Sequence, residues 1–185
     1  MKRLLTFFEN LKNKKKRRYV DPPPQFRCNK AIRCSHYLKT FPEDHEEIFK
    51  QIEELIEHYK DKKIYIGITH HPCGRYNLSY NSTKPLPPCM GFQNTITKED
   101  NAELIQEGGH EDEYESMYLI CSHATAKVIE DLEIEMIAKM TDYMREKGYS
   151  SARIGNKSKG GEPMNAESTH YFLYVCISKL AYIAG

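Results

Sequence analysis

The sequence predicts an α+β fold in which a small central antiparallel or mixed β-sheet is flanked by helices. Two long segments place apolar residues at helical spacing, and three short segments are rich in β-branched and aromatic residues, which is typical of strands. Along the chain these segments follow the order helix, strand, loop, strand, helix, loop, strand, and no internal repeat occurs. This order is the basis of the α+β prediction.

The two predicted helices cover residues 43–59 and 125–146. The first begins with acidic residues that suit a first helical turn, and the second ends just before Gly148, a residue type often found directly after a helix. A short helix is also predicted near residues 99–107. The predicted strands are 63–69, 116–122 and 171–177, and a loop is predicted at 156–163.

The charge balance and the hydropathy pattern exclude two classes of protein. The 185-residue chain has 27 Lys and Arg against 26 Asp and Glu, which argues against a histone-like protein that binds nucleic acid by bulk charge alone. No run of about 18 apolar residues occurs, so we predict no membrane-spanning helix and no membrane partner. Basic residues concentrate in positions 1–18 and acidic residues in positions 99–115, which indicates two distinct charged surfaces.

The chain divides into three predicted regions. We predict that residues 1–25 form a basic, flexible arm. Residues 26–61 are predicted to form an extension that contains the first helix, and residues 62–185 are predicted to form the main domain. The basic cluster Lys14–Arg18 has three interpretations, namely a frayed amphipathic arm, a nuclear import signal, or an arm that contacts phosphates.

The cysteines indicate an intracellular, reducing compartment. Six cysteines occur without a CxxC pair, and the N-terminus lacks the features of a signal peptide. Inert free thiols are therefore the simpler interpretation. Cys28, Cys34 and His36 are close enough in sequence to raise the alternative of a bound zinc ion.

Polar side chains that the local pattern does not require occur at three places. Tyr65 and Arg75 flank a glycine-bearing strand and turn, and a guanidinium is a natural partner for a phosphate because it stays charged and donates in pairs. Glu133 lies at the margin of the apolar stripe of the second helix, where a carboxylate is a hard ligand for a divalent cation. A solvated arginine and an ordinary helix charge are the simpler alternatives.

The third place is Asn156 with the loop that follows it. Lys157 and Lys159 supply positive charge there, and two glycines let backbone N–H groups approach an anion. The loop is interpreted either as a flexible surface turn or as a phosphate-contacting segment.

These residues resemble the second half of the GIY-YIG nuclease motif over roughly residues 62–163. The strand KIYIGIT contains a YIG triplet, and Arg75 follows Gly67 by eight residues. Residues 133–137, in the order Glu-Ile-Glu-Met-Ile, resemble the helix pattern E-x-x-[LW]-I that carries the metal-binding glutamate of this family, with Met136 at the Leu or Trp position, and Asn156 precedes a glycine pair.

The resemblance implies a GIY-YIG-like domain that hydrolyses DNA phosphodiester bonds with one Mg²⁺ or Mn²⁺ ion. Glu133 would hold the metal, Tyr65 would deprotonate or orient the attacking water, and Arg75 would neutralise charge on the phosphate. Asn156 would orient the tyrosine, a phosphate or the loop. Arg75, Lys157 and Lys159 would contact the nucleic acid, and His70 and His71 are rivals for the role of base.

The first half of the family motif does not occur before residue 62, because the GIY position is occupied by a helical segment. Its tyrosine is therefore unassigned, and the candidates are Tyr37, Tyr76, Tyr171 and Tyr174. Two other functions stay open. One is an inactive nucleic-acid-binding module on the same scaffold, and the other is a zinc-stabilised adaptor that uses Cys28, Cys34 and His36.

Overall fold

The structure is a computed structural model that describes residues 19–20, 31–35, 43–70, 72–76, 110, 113–161, 163–164 and 170–181. The segment predicted as a helix near 99–107 and the basic cluster Lys14–Arg18 lie outside these residues. The elements are β1 (Tyr19–Val20), β2 (Ile32–Ser35), α1 (His45–His58), β3 (Lys62–Thr69), α2 (Pro72–Tyr76), β4 (Tyr114–His123), α3 (Ala126–Glu146), a 3-10 helix (Ser151–Arg153) and β5 (Tyr171–Ala181).

The strands form one mixed sheet in the order β1-β2-β4-β5-β3. Strand β5 lies between β4 and β3 and is antiparallel to both, whereas β2 is parallel to β4. With the helices against this sheet, the α+β prediction is confirmed. Strands β1 and β2 and helix α1 come from the predicted arm and extension, and they join the same sheet and core as residues 62–181.

Successive side chains of β3 point to opposite faces of the sheet. Ile64 and Ile66 are fully buried against α1 and α3, while Tyr65 points to the opposite face. Buried residues recur at helical spacing on α1, whose first turn is capped by Asp44 accepting from the Glu47 N–H at 3.1 Å. Helices α1 and α3 therefore cover one face of the sheet and leave the other to the aromatic side chains described below.

A buried arginine fixes the entry into β3. Arg153 is 2% exposed, and its guanidinium donates to the carbonyl oxygens of Ile56, Tyr59 and Lys62 at 3.3, 2.8 and 3.1 Å. Carbonyl oxygens at the end of α1 and the start of β3 thereby gain a charged hydrogen-bond donor. In the part of the chain that the structure describes, no helix is long and apolar enough to cross a membrane.

Candidate active site

The centre of the candidate site is a contact between strands β3 and β5. Gly67 is paired with Tyr174 across the two strands. A Cβ at position 67 would lie 2.5 Å from the Tyr174 hydroxyl oxygen and 2.7 Å from Cε1 of Tyr65. Glycine is therefore required here by close packing, since it lets the two tyrosine rings approach to 6.1 Å between centroids.

Arg75 joins the two tyrosines. It lies on the short helix α2 directly after β3, and its Nε donates to the Tyr174 hydroxyl at 3.4 Å. A hydrogen bond also links Arg75 with Tyr65. Burial raises the pKa of Tyr65 above its usual range, against the opposing effect of the Arg75 charge. Tyr65 and Arg75 therefore meet at one place. The pKa of Tyr174 is also raised by burial, so the phenols of Tyr65 and Tyr174 are both protonated at neutral pH.

The structure distinguishes among the candidate tyrosines. Tyr174 is fully buried between Tyr65 and Arg75. The Tyr76 hydroxyl donates to the Tyr114 carbonyl oxygen at 2.8 Å, and Tyr171 packs in the core on the helical face. Tyr37 lies outside the described residues. Tyr174 is thus the candidate that is in place to act with Tyr65.

A histidine that the sequence analysis did not select completes this cluster. The Nε2 atom of His110 lies 2.8 Å from the Tyr174 hydroxyl, and its ring centroid lies 5.1 Å from that of Tyr65. Its backbone N–H donates to the Arg75 carbonyl oxygen at 3.1 Å. Burial, helped by the Arg75 charge, lowers the pKa of His110 to about 3, so the imidazole is neutral near pH 7.

His110 could not be selected from the sequence, because it lies in a polar, acidic segment with neither helical nor strand periodicity. The structure says little about His70 and His71, the two histidines that the sequence analysis named as alternative bases. His70 directly follows β3, and His71 lies outside the described residues.

Glu133 lies on α3 and is 6% exposed. Its Oε2 accepts a hydrogen bond from the Gly161 N–H at 2.8 Å, and its charge contributes to the raised pKa of Tyr65. Gly160 and Gly161 have φ values of 79° and 81°, which favour glycine, and a Cβ on Gly160 would lie 2.9 Å from Oε2. The carboxylate therefore holds the glycine loop while lying within electrostatic range of Tyr65.

Glu130 makes a matching contact one helical turn earlier. It is 8% exposed, and its Oε1 accepts from the Met164 N–H at 2.9 Å. The loop after Asn156 is thus fastened to α3 by two buried carboxylates through backbone N–H groups. This pair offers a matched comparison, because the Glu133 charge is among the main causes of the raised pKa of Tyr65, and both carboxylates accept a backbone N–H from the same loop.

A divalent cation has limited protein ligands here. Among the residues the structure describes, no group of three His, Cys, Asp or Glu side chains is close enough to hold a metal. Glu133 provides one carboxylate, whose Oε2 accepts a hydrogen bond from the Gly161 N–H. Mg²⁺ is commonly held by one or two carboxylates together with waters and substrate phosphates, so the donor set fits a cation of that kind.

Asn156 is attached to strand β3 through both atoms of its amide. Its Oδ1 accepts from the Ile66 N–H at 3.0 Å, and its Nδ2 donates to the Ile66 carbonyl oxygen at 2.6 Å. Next to it, the Gly155 N–H donates to the Ile64 carbonyl oxygen at 2.7 Å. Asn156 therefore covers the edge of β3 at Ile66, and together with Gly155 it fixes the backbone on either side of Tyr65.

No protein-family model, no curated protein and no solved structure matches this chain. The resemblance to GIY-YIG nucleases stays a prediction that depends on the residues themselves.

The remaining sequence candidates lie apart from the tyrosine cluster. Lys157 and Lys159 are exposed on the loop that the two carboxylates fasten. Cys28 and His36 of the zinc hypothesis lie outside the described residues, and of Cys34 only its backbone position in β2 is described. The structure thus places Arg75 and the two tyrosines on one face of the sheet. The loop that carries Lys157 and Lys159 lies next to the Glu133 carboxylate.

Proposed function

We propose that this protein is a metal-dependent endonuclease that hydrolyses DNA phosphodiester bonds. The observation that carries the proposal is the meeting of Tyr65, Arg75 and Tyr174 on one face of the sheet, with the Glu133 charge near enough to affect Tyr65. A guanidinium can stabilise charge that builds up on a phosphate, and a carboxylate can hold a metal ion that polarises it, so these groups support such a hydrolysis.

Each residue has a role that follows from its contacts. Arg75 binds the scissile phosphate and stabilises the charge that builds up on it during attack. Tyr65, which is partly exposed, positions the attacking water, and Asn156 holds the backbone beside Tyr65. Lys157 and Lys159 contact neighbouring phosphates. Glu133 would hold a Mg²⁺ or Mn²⁺ ion, which when bound polarises the phosphate and stabilises the leaving oxygen.

The reaction is a single displacement at phosphorus. The water oxygen forms a bond to phosphorus as the bond from phosphorus to the leaving ester oxygen breaks. The leaving oxygen keeps the electron pair and takes a proton from solvent, and the attacking water loses one proton to the protein. The products are a terminal phosphate and a hydroxyl group.

The decisive experiment is a nicking assay on supercoiled plasmid DNA with Mg²⁺ or Mn²⁺. We compare Glu133→Gln with Glu130→Gln, because each glutamine can still accept the backbone hydrogen bond that its glutamate accepts. We expect Glu133→Gln to lower the cleavage rate by about 10²–10³, and Glu130→Gln to cleave near the rate of the unmodified protein. The proposal is wrong if the unmodified protein does not cleave with either metal, or if the two variants cleave equally fast.

A nucleic-acid-binding module without catalysis is the second candidate. It is favoured by the hydrogen bond that the Gly161 N–H donates to Glu133, and by the lack, among the described residues, of a group of three His, Cys, Asp or Glu side chains that could hold a metal. Such a module would bind labelled duplex DNA in a fluorescence anisotropy assay, with affinity falling as salt rises. In that case Lys157→Gln with Lys159→Gln would weaken binding, and no metal would produce nicks.

A further inference from the structure

The candidate site has to dispose of the proton that the attacking water loses. Tyr65 is the group best placed to receive it, yet burial raises the pKa of its phenol, and the nearby Glu133 charge acts in the same direction. A phenol that is already protonated can take a proton only if it gives up its own at the same time. A second acceptor must therefore lie behind Tyr65.

A row of neighbouring polar side chains leads from Tyr65 through Tyr174 to His110 in the protein interior. The Tyr65 and Tyr174 rings lie side by side with their centroids 6.1 Å apart, and the Tyr174 hydroxyl lies 2.8 Å from Nε2 of His110. Tyr65 is partly exposed, Tyr174 is fully buried, and His110 is 9% exposed. The path therefore begins where water has access and ends at a sheltered imidazole.

We propose that His110 is the terminal proton acceptor of this site and is reached from the attacking water through the hydroxyls of Tyr65 and Tyr174. This inference rests on the nuclease function proposed above. The water gives a proton to the Tyr65 oxygen, Tyr65 gives its proton to the Tyr174 oxygen, and Tyr174 gives its proton to Nε2 of His110. Both tyrosines end as neutral phenols, and the imidazole becomes an imidazolium that returns its proton to solvent after product release.

The charges around His110 make this acceptor dependent on the substrate. The groups that face it are Tyr65 from β3, Arg75 from α2, Tyr114 from β4 and Tyr174 from β5. Arg75 is the cation in this set, and it opposes protonation of the imidazole. A phosphodiester bound to Arg75 offsets that charge, so His110 becomes a better acceptor when the substrate is in place.

The first test compares the pH dependence of plasmid nicking in the unmodified protein, His110→Gln and His58→Gln. His58 is an exposed histidine on α1, so its variant controls for the loss of a histidine as such. We expect His110→Gln to cleave about 10²–10⁴ times more slowly and to lose the acidic limb of the profile. Tyr174→Phe breaks the same path, and combining it with His110→Gln should add little, because the two act as one unit.

The second test does not depend on cleavage. The imidazole of His110 is followed by NMR during a pH titration of the unmodified protein, of Arg75→Gln, and of the unmodified protein saturated with a phosphorothioate DNA duplex. We expect the pKa of His110 to rise by about one unit or more both in Arg75→Gln and with the duplex. This readout applies even if the His110 variant folds poorly.

The outcomes separate the two proposals. A protein that cleaves DNA while His110→Gln keeps the unmodified pH profile retains the nuclease function and overturns the role of His110. An imidazole that titrates identically with and without the Arg75 charge also overturns that role. A protein that never cleaves with Mg²⁺ or Mn²⁺ overturns the nuclease function and the proton path with it.

Discussion

Replacing Gly67 with alanine tests whether the contact between β3 and β5 determines the site. The new Cβ would lie 2.5 Å from the Tyr174 hydroxyl oxygen and 2.6 Å from its Cζ. To regain an ordinary contact of about 3.5 Å, the Tyr174 hydroxyl must move by roughly 1 Å. We expect a displacement of that size to disrupt the 2.8 Å contact with His110 and the 3.4 Å contact with Arg75, because hydrogen bonds tolerate changes of only a few tenths of an ångström.

Two magnitudes follow from this displacement. Because Tyr174 is fully buried, overpacking is expected to lower the free energy of unfolding by about 1–3 kcal/mol. A shift of about 1 Å at a reacting group is expected to lower the cleavage rate by about 10². Stability is measured by urea unfolding followed by circular dichroism, since the chain has no tryptophan to report by fluorescence.

Gly148→Ala is the matched control. Gly148 has a φ of 71°, and no atom lies within 4 Å of the place that an alanine Cβ would occupy there. Alanine at this position therefore strains the backbone by about 1–2 kcal/mol without touching the tyrosines. Both variants should be less stable, and only Gly67→Ala should lose activity at a temperature where both are folded. Equal cleavage by the two variants would refute the argument from packing.

Three further predictions use the same unfolding assay or mass spectrometry. Asn156→Ala removes both hydrogen bonds to Ile66 and should lower the free energy of unfolding by about 2–4 kcal/mol, whereas a change below about 0.5 kcal/mol would contradict the role given to this amide. Folding lowers the pKa of His110, so the contribution of the neutral imidazole to the free energy of unfolding is complete above the unfolded pKa of about 6.5 and is lost as pH falls. Between about pH 6 and pH 4 the free energy of unfolding of the unmodified protein should therefore fall by about 1.4 kcal/mol per pH unit more than that of His110→Gln. Burial raises the pKa of Cys121 to about 12, so its thiol should escape iodoacetamide in the folded protein and react in concentrated urea, and rapid labelling before unfolding would contradict the packing of β4.

Local patterns predicted the main elements well. The helices predicted at 43–59 and 125–146 begin and end within two residues of the observed α1 and α3, because both have regular apolar spacing and clear ends. The strand predicted at 63–69 corresponds to β3, and the strands predicted at 116–122 and 171–177 are cores of the longer β4 and β5. Strand β2 was not predicted, because its four residues are too few for an alternating pattern.

The arrangement of the site was less accessible from the sequence. Tyr65 and Arg75 are close along the chain and could be paired from the strand and turn pattern. Tyr174 could be named only as one of four candidates, since its position depends on β5 pairing with β3 across a long separation in sequence. His110 was missed for the same reason, because its contacts come from tertiary packing rather than from any local period.

The position of β5 has a consequence for how the protein is made. It is the innermost of the three long strands, yet it is synthesised after both of its neighbours, so β3 and β4 leave the ribosome with their inner edges unpaired. Until β5 arrives, those edges are open to pairing with other nascent chains, and Gly67 has no tyrosine above it. Translation must therefore run past Ala181, where β5 ends, before the cell holds any copy able to assemble this cluster.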